Sequence, residues 1–222
     1  MWIKVLLPSS LFLSSAVGKP CDIYMKENSP CVAAHSTIRS LYDNYHGPLY
    51  QLNRTDDGLL LNISTNDAGY ADSVSHEEFC DDKACVIQII FDQSPMGGNH
   101  LHPSPASPSH YGRDDEPPRW EPGTPVDAMK HKVIVNGTYH VYGALFEQGN
   151  GYRLDKTKGI ATGNEEETIY MVTSGKYYNN RCCFDYGNAE IDNMDDGDGT
   201  MVGSLQTIQQ RIILKLKDHV TA

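Results

Sequence analysis

Ala84-Cys85-Val86-Ile87-Gln88-Ile89-Ile90-Phe91-Asp92 is the stretch whose reading sets the fold class. It is apolar and β-branched almost without a break, and such side chains pack well on a pleated surface. A short run that is apolar on both faces belongs inside a sheet, so the segment reads as a central strand. Upstream, Leu49-Tyr50-Gln51-Leu52-Asn53-Arg54 alternates with period two. Asp56-Asp57-Gly58 then reads as a turn and Leu59 to Ile63 as a second strand. Downstream, Lys132 to Tyr142 reads as a hairpin with Asn136-Gly137 at its turn. Two short apolar segments follow, Ala144–Phe146 and Thr168–Val172. Short strands at turn-punctuated intervals, with few helices between them, predict an antiparallel β-sandwich.

The remaining segments are less regular. Residues 19–35 read as a cysteine-bounded loop. Ser36 is placed to cap a helix over Thr37–Tyr45, with Ile38, Leu41 and Tyr45 on one face and Gly47-Pro48 as its stop. Residues 64–84 are polar and turn-rich, with a short helix near Ser73–Phe79. Residues 95–125 hold eight of the twelve prolines and read as a long loop. Its histidines, His100, His102 and His110, are candidate metal ligands, but solvated loop histidines are the default. The run Gln148-Gly149-Asn150-Gly151-Tyr152-Arg153 lacks the strand–glycine–helix setting of a nucleotide site and reads as a loop. After Met201 the character changes. Leu205, Ile208, Ile212 and Leu216 fall on a helical stripe, which predicts an amphipathic tail. Such a tail is either a partner-binding helix or a terminus foreign to the fold.

The chain has 222 residues and a formal net charge of −11. That balance leaves no basic patch, which argues against nucleic acid and anionic lipid as partners. A neutral polysaccharide needs no electrostatic help. Met1-Trp2-Ile3-Lys4 followed by an apolar run to Val17 reads as a signal peptide, with cleavage expected after Gly18. The run is short of the roughly 20 residues of a membrane span. Six cysteines fall in three local pairs: Cys21/Cys31, Cys80/Cys85 and Cys182/Cys183. Neighbour pairing is the simplest of the possible connectivities. Sequons at Asn53, Asn62 and Asn136 agree with secretion.

The chemistry-bearing stretch is Tyr177-Tyr178-Asn179-Asn180-Arg181-Cys182-Cys183-Phe184-Asp185-Tyr186-Gly187-Asn188-Ala189-Glu190. Adjacent cysteines that oxidise to each other close a strained ring with a flat sulfur face. Aromatics, amides and carboxylates around such a platform suit a sugar: stacking for its C–H face, hydrogen bonds for its hydroxyls. The other reading pairs each cysteine elsewhere and makes the aromatics core. Residue chemistry leaves both open.

Seven segments together resemble a known family. They are Pro20–Tyr24, Pro30–Thr37, Leu49–Leu52, Asp92-Gln93-Ser94, Gly98-Asn99-His100-Leu101, Ala161-Thr162-Gly163 and Cys182–Glu190. They look like the catalytic domain of α-L-arabinofuranosidase B, glycoside hydrolase family 54, over about residues 20–195. The resemblance implies a secreted enzyme with a concanavalin- or laminarinase-like β-sandwich. Its substrate would be an arabinose-containing plant polysaccharide, from which it removes terminal α-L-arabinofuranosyl groups with retention; it would need no cofactor and act as a monomer. It implies disulfides Cys21–Cys31 and Cys80–Cys85, and a Cys182–Cys183 disulfide lining the sugar subsite.

The family's nucleophilic glutamate and acid/base aspartate lie in downstream motifs that have no match in residues 1–222. The resemblance makes neither Asp185 nor Glu190 a substitute. The expected organisation is therefore a signal peptide over 1–18, the amino-terminal part of a catalytic domain over 19–201, and an unmatched tail over 202–222, the sandwich being incomplete at its end. Three functions follow: an arabinofuranosidase segment inactive by itself, a secreted sugar-binding protein that keeps the platform, or an interaction role through the tail.

Overall fold

The computed structural model describes residues 18–105, 107–109, 119–162, 165–174, 184–188, 201–204 and 209–216. In chain order the elements are α1 (Pro20–Lys26), β1 (Cys31–His35), β2 (Tyr50–Arg54), β3 (Leu59–Ile63), α2 (Ser73–Phe79), β4 (Cys85–Ile90), β5 (His102–Pro103), β6 (Ser107–Ser109) and β7 (Arg119–Glu121). There follow β8 (Lys132–Val135), β9 (Tyr139–Tyr142), β10 (Ala144–Leu145), β11 (Tyr152–Arg153), β12 (Thr168–Ser174), β13 (Phe184–Gly187), β14 (Met201–Ser204) and β15 (Gln209–Leu216). The fold is an antiparallel β-sandwich, and each pairing between these strands is antiparallel.

β2, β3 and β4 form a three-stranded sheet in the order β3-β2-β4. Strict alternation along β4 would bury positions 85, 87 and 89. Instead Cys85, Ile87 and Ile90 are buried. A bulge opposite Gln51/Leu52 skips Gln88 and resets the phase, so that Tyr50 pairs with Ile90 and Leu52 with Ile87. Tyr50, Leu52, Ile63, Ile87 and Ile90 then point into one core with Val133, Val141 and Ala144. Each such aliphatic side chain contributes about 1.5–3 kcal/mol on burial.

β4 is not a central strand, contrary to the reading of its apolar run. Its free edge is covered instead by loop backbone. Ile87 N–H donates to the Val126 carbonyl at 3.0 Å, Ala128 N–H to that of Cys85 at 2.9 Å, and Ile90 and Leu101 exchange both their bonds. An edge strand buried on its core face and closed along its side can be nearly as apolar as a middle strand.

The second sheet corrects the reading of the tail. Residues 209–216 are not helical; they form β15, the middle strand of a sheet. β12 pairs along one side of it, while β1 and β10 pair along the other. Ile213 lies opposite both His35 and Met171. Ile212-Ile213-Leu214 favours a strand as much as its spacing favours a helix, and partners on both sides decide the matter. Residues 205–208 and 217–222 of the expected tail lie outside the described residues.

The helix expected over Thr37–Tyr45 is absent as well. Ser36 Oγ does accept from the N–H groups of Ile38 and Arg39, at 3.1 and 3.2 Å. The backbone beyond it is then taken by other segments: Ser40 N–H by the Gly69 carbonyl, and Leu41 N–H by Gln93 Oε1 at 2.7 Å. Those partners replace the i−4 carbonyls a helix would use. A short helix appears earlier, where a loop was read. α1 has Pro20 in its first turn, Asp22 beside it and Lys26 in its last turn, each where the helix ends favour it. α2 is where it was expected, capped by Asp72, whose side chain accepts from Ser75 N–H.

The proline-rich run carries β5, β6 and β7, of which β6 pairs with β7 and β5 with β11. Asn136 and Gly137, at φ 52° and 69°, turn the β8–β9 hairpin as the sequence predicts. Among the described residues there are two disulfides. Cys21–Cys31 ties α1 to β1, and Cys80–Cys85 ties the end of α2 to β4.

Candidate functional site

Four of the segments that carried the resemblance, drawn from three regions of the chain, meet in one buried polar knot. At its centre is Asp92, 3% exposed. Its Oδ1 accepts from Ala34 N–H at 2.9 Å and Ser94 N–H at 2.8 Å. Its Oδ2 accepts from Ser94 Oγ at 2.9 Å and Asn99 N–H at 3.2 Å. The Asp92 N–H itself donates to His100 Nδ1 at 3.1 Å. A buried carboxylate is tolerated only when its lone pairs are satisfied, and here these donors tie β1 to the segments after β4. Such an oxygen pair is an anchor rather than a nucleophile.

Asn99 extends the knot. Its amide nitrogen donates to the carbonyls of Val32 and Lys158, both at 3.0 Å, and its Oδ1 accepts from Lys158 N–H at 2.7 Å. One side chain thus stands in for a strand between β1 and the loop after β11.

His35 ends β1 and is buried. Its Nε2 is 2.6 Å from the Asn99 carbonyl, which can only accept, so Nε2 carries the proton. Burial holds the His35 pKa below its ordinary value despite the pull of the Asp92 charge. The ring is therefore neutral, and Nδ1 is an acceptor. Tyr186 Oη, 3.1 Å away, donates to it. The two rings meet edge to face at 6.2 Å. Burial pushes the Tyr186 phenol upward, so it keeps its proton.

Tyr186 belongs to β13, which pairs with β14 so that Phe184 faces Ser204 and Gly187 faces Met201. Just beyond, Asn188 Nδ2 donates to the Ala161 carbonyl and to Glu167 Oε2, both at 2.9 Å. The strand that leaves the adjacent cysteines is thus held at two points two residues apart. Cys182 and Cys183, the expected sugar platform, lie outside the described residues, as do Glu190 and the side chain of Asp185. Phe184, the first residue of β13, directly follows Cys183.

Sequence reasoning gave His35, Asp92, Asn99 and Tyr186 no individual roles. A signal was present: Asp92 and His35 each end an apolar run, where a polar residue needs a reason. Lys158 and Glu167 had no such signal. His100 is engaged by the Asp92 N–H and lies edge-on to Phe91 at 5.1 Å; His102 is on β5; His110 is outside the described residues. Among the described residues no group of three or more histidines, cysteines and carboxylates is arranged to hold a metal.

Residues 20–210 match the family described as "Alpha-L-arabinofuranosidase B, catalytic", and the chain belongs to that family. It is 45% identical over 184 residues to the α-L-arabinofuranosidase B of Penicillium canescens, covering 82% of this chain and 38% of the relative. It is 42% identical over 202 residues to that of Emericella nidulans, covering 87% of this chain and 38% of the relative. Two solved structures share the fold with a TM-score of 0.70 at 41% identity, over 81% of this chain and 36% of theirs. One is an arabinofuranosidase complexed with arabinofuranosyl-α-1,2-xylobiose. The other is a family 54 α-L-arabinofuranosidase soaked with a cyclic sulfate inhibitor. The chain thus spans 36–38% of the length of these relatives.

Proposed function

We propose that this chain forms part of a secreted α-L-arabinofuranosidase that releases terminal α-L-arabinofuranosyl groups from arabinan or arabinoxylan. The observation that carries this is the knot of Asp92, His35, Asn99 and Tyr186: four of the seven family-like segments meet there, and the strand it holds is the one that follows Cys182-Cys183. A disulfide between those two cysteines supplies a rigid apolar wall for the sugar ring. A signal peptide over 1–18 and the pairs Cys21–Cys31 and Cys80–Cys85 agree with an oxidising, extracellular setting.

Retaining hydrolysis needs two carboxyl groups about 5 Å apart. One attacks the anomeric carbon as the glycosidic oxygen takes a proton from the other. The second group then draws a proton from the water that releases the sugar. We place neither group in residues 1–222. This segment by itself holds sugar weakly and does not turn it over, because a wall without the reacting groups positions nothing.

The test is an aryl α-L-arabinofuranoside assay on residues 1–222 and on the same segment continued with a family-like carboxy-terminal part. Activity is expected only in the second, and Cys182→Ala in the longer chain should lower kcat/KM. Full turnover by residues 1–222 would overturn the assignment. Arabinose binding by the short segment, with no turnover in the long one, would favour a sugar-binding protein.

A further inference from the structure

We infer that Asn62 and Asn136 carry N-linked glycans, whose innermost sugars cover Leu60 and Ile134, and that Asn53 carries none. The inference rests on the secretion reading above. Three sequons are present, and geometry separates them.

Asn62 is exposed on β3, which among the described residues pairs with β2 alone. Its hydrogen bond from Gln51 Nε2, at 2.9 Å, uses Oδ1. Nδ2, the atom that takes the sugar, is not consumed by that bond. Two residues earlier, on the same face of the strand, Leu60 is 55% exposed. Asn136 is exposed at the tip of the β8–β9 hairpin at φ 52°, and a side chain on the neighbouring Gly137 would meet nothing within 4 Å. Two residues before it, Ile134 is 57% exposed. Each of these sequons therefore follows a large aliphatic side chain left in water, and the apolar face of a pyranose is a natural cover for one.

Asn53 shares the face of Leu60, with which it is paired, but differs in burial and in the use of its amide. It is half-buried on β2, the middle strand. Its Nδ2 donates to Gln88 Oε1 at 3.3 Å, and its Oδ1 is fully buried. The residue two before it is Gln51, which is polar. A sugar on Asn53 would displace Gln88 from the bulge that sets the phase of β4.

The chemistry is a single transfer from a lipid-linked oligosaccharyl pyrophosphate. The amide Nδ2 forms a bond to the anomeric carbon as the bond from that carbon to the pyrophosphate oxygen breaks. The lipid pyrophosphate leaves with the electron pair, and one amide proton is lost.

The test is secretion of the full chain from a eukaryotic host, followed by enzymatic deglycosylation in heavy-oxygen water, which mass-tags each occupied asparagine. Tags are expected at Asn62 and Asn136 and not at Asn53. On a gel, N62Q and N136Q should each lose one step of a two-step glycan ladder, and N53Q should lose none. A parallel arm replaces residues 1–18 with a leader of proven secretion. If only that arm is secreted, with the same occupancy, the signal reading falls and the glycan assignment stands. A tag at Asn53, or a bare Asn62 or Asn136 in secreted protein, overturns it. To test the cover, the deglycosylated protein should bind more of a hydrophobic dye than the glycosylated form. Leu60→Ser with Ile134→Thr should abolish that difference, and an unchanged difference would overturn the cover.

Discussion

At the scale of single residues, the His35–Tyr186 contact is the one between β1 and the strand after the adjacent cysteines that carries a definite direction. Tyr186 donates and His35 accepts because burial keeps the imidazole neutral. Tyr186→Phe removes that one bond and keeps the ring, so it should lower stability by about 1 kcal/mol. His35→Ala empties a buried site and strips the Asn99 carbonyl of its donor, so a loss of roughly 2–4 kcal/mol is expected. Denaturant midpoints of the two variants check this. Equal losses would mean that the imidazole does nothing beyond meeting Tyr186. The knot was only half legible beforehand. The segments bearing Asp92, Asn99, His35 and Tyr186 stood out as family-like, but the bonds that join β1 to the other three span 58 to 151 residues of chain. No local pattern encodes such separations, because the bonds follow from strand pairing that brings β1 beside Asp92.

At the scale of elements, local signals suffice for some segments and not for others: α1 reads as loop despite Pro20 and Asp22, and Ser36 signals a helix that tertiary partners displace. β2, β3, α2 and the β8–β9 hairpin carry their own turn and cap residues, among them Asp57-Gly58, Asp72 and Asn136-Gly137. The centrality of β4 and the nature of residues 209–216 depend on what lies alongside. Leu205, Ile208, Ile212 and Leu216 do fall on a helical stripe, but Gln209–Leu216 is paired on both edges. That pairing gives a sharp test. Ile213→Pro removes an N–H from a middle strand and clashes within the ladder, so it should abolish folding or cost 3 kcal/mol or more. An amphipathic helix dangling from the fold would lose far less. Soluble yield and the loss of amide-exchange protection in β1, which pairs with β15 through His35, distinguish the two outcomes. A protected β1 in the Ile213→Pro protein would contradict the sheet.

At the scale of the whole molecule, two effects oppose each other as pH falls. The formal charge of −11 at pH 7 shrinks towards zero near the sequence pI of about 5.1, which relieves self-repulsion. Against this stand buried histidines that resist protonation. His76 on α2 is 0% exposed, stacked on Tyr142 at 4.3 Å, with Nδ1 2.7 Å from the Tyr50 hydroxyl. Burial pushes its pKa down to about 4, with the Glu77 carboxylate and the Ala128 backbone offsetting part of the effect. Glu77 is itself engaged by Lys132 and by the Tyr142 hydroxyl, so its charge is shared rather than devoted to His76. Above pH 6.5 the imidazole is neutral whether the chain is folded or not. Between about 6.5 and 4 the unfolded chain takes up a proton that the folded chain refuses. Stability therefore falls as pH falls through that window, by roughly 3 kcal/mol for His76 alone. His35 and His100 shift in the same direction, also chiefly through burial, and add to the slope. Relief of surface repulsion is spread over exposed, screened charges, so the histidines should win and the unfolding temperature should drop from pH 7 to pH 4. His76→Phe keeps the stack on Tyr142 but leaves the Tyr50 hydroxyl without its partner, so it should start lower at pH 7. Its decline towards pH 4 should be shallower than that of the unsubstituted chain, and parallel pH profiles would remove His76 from the acid-sensitive step.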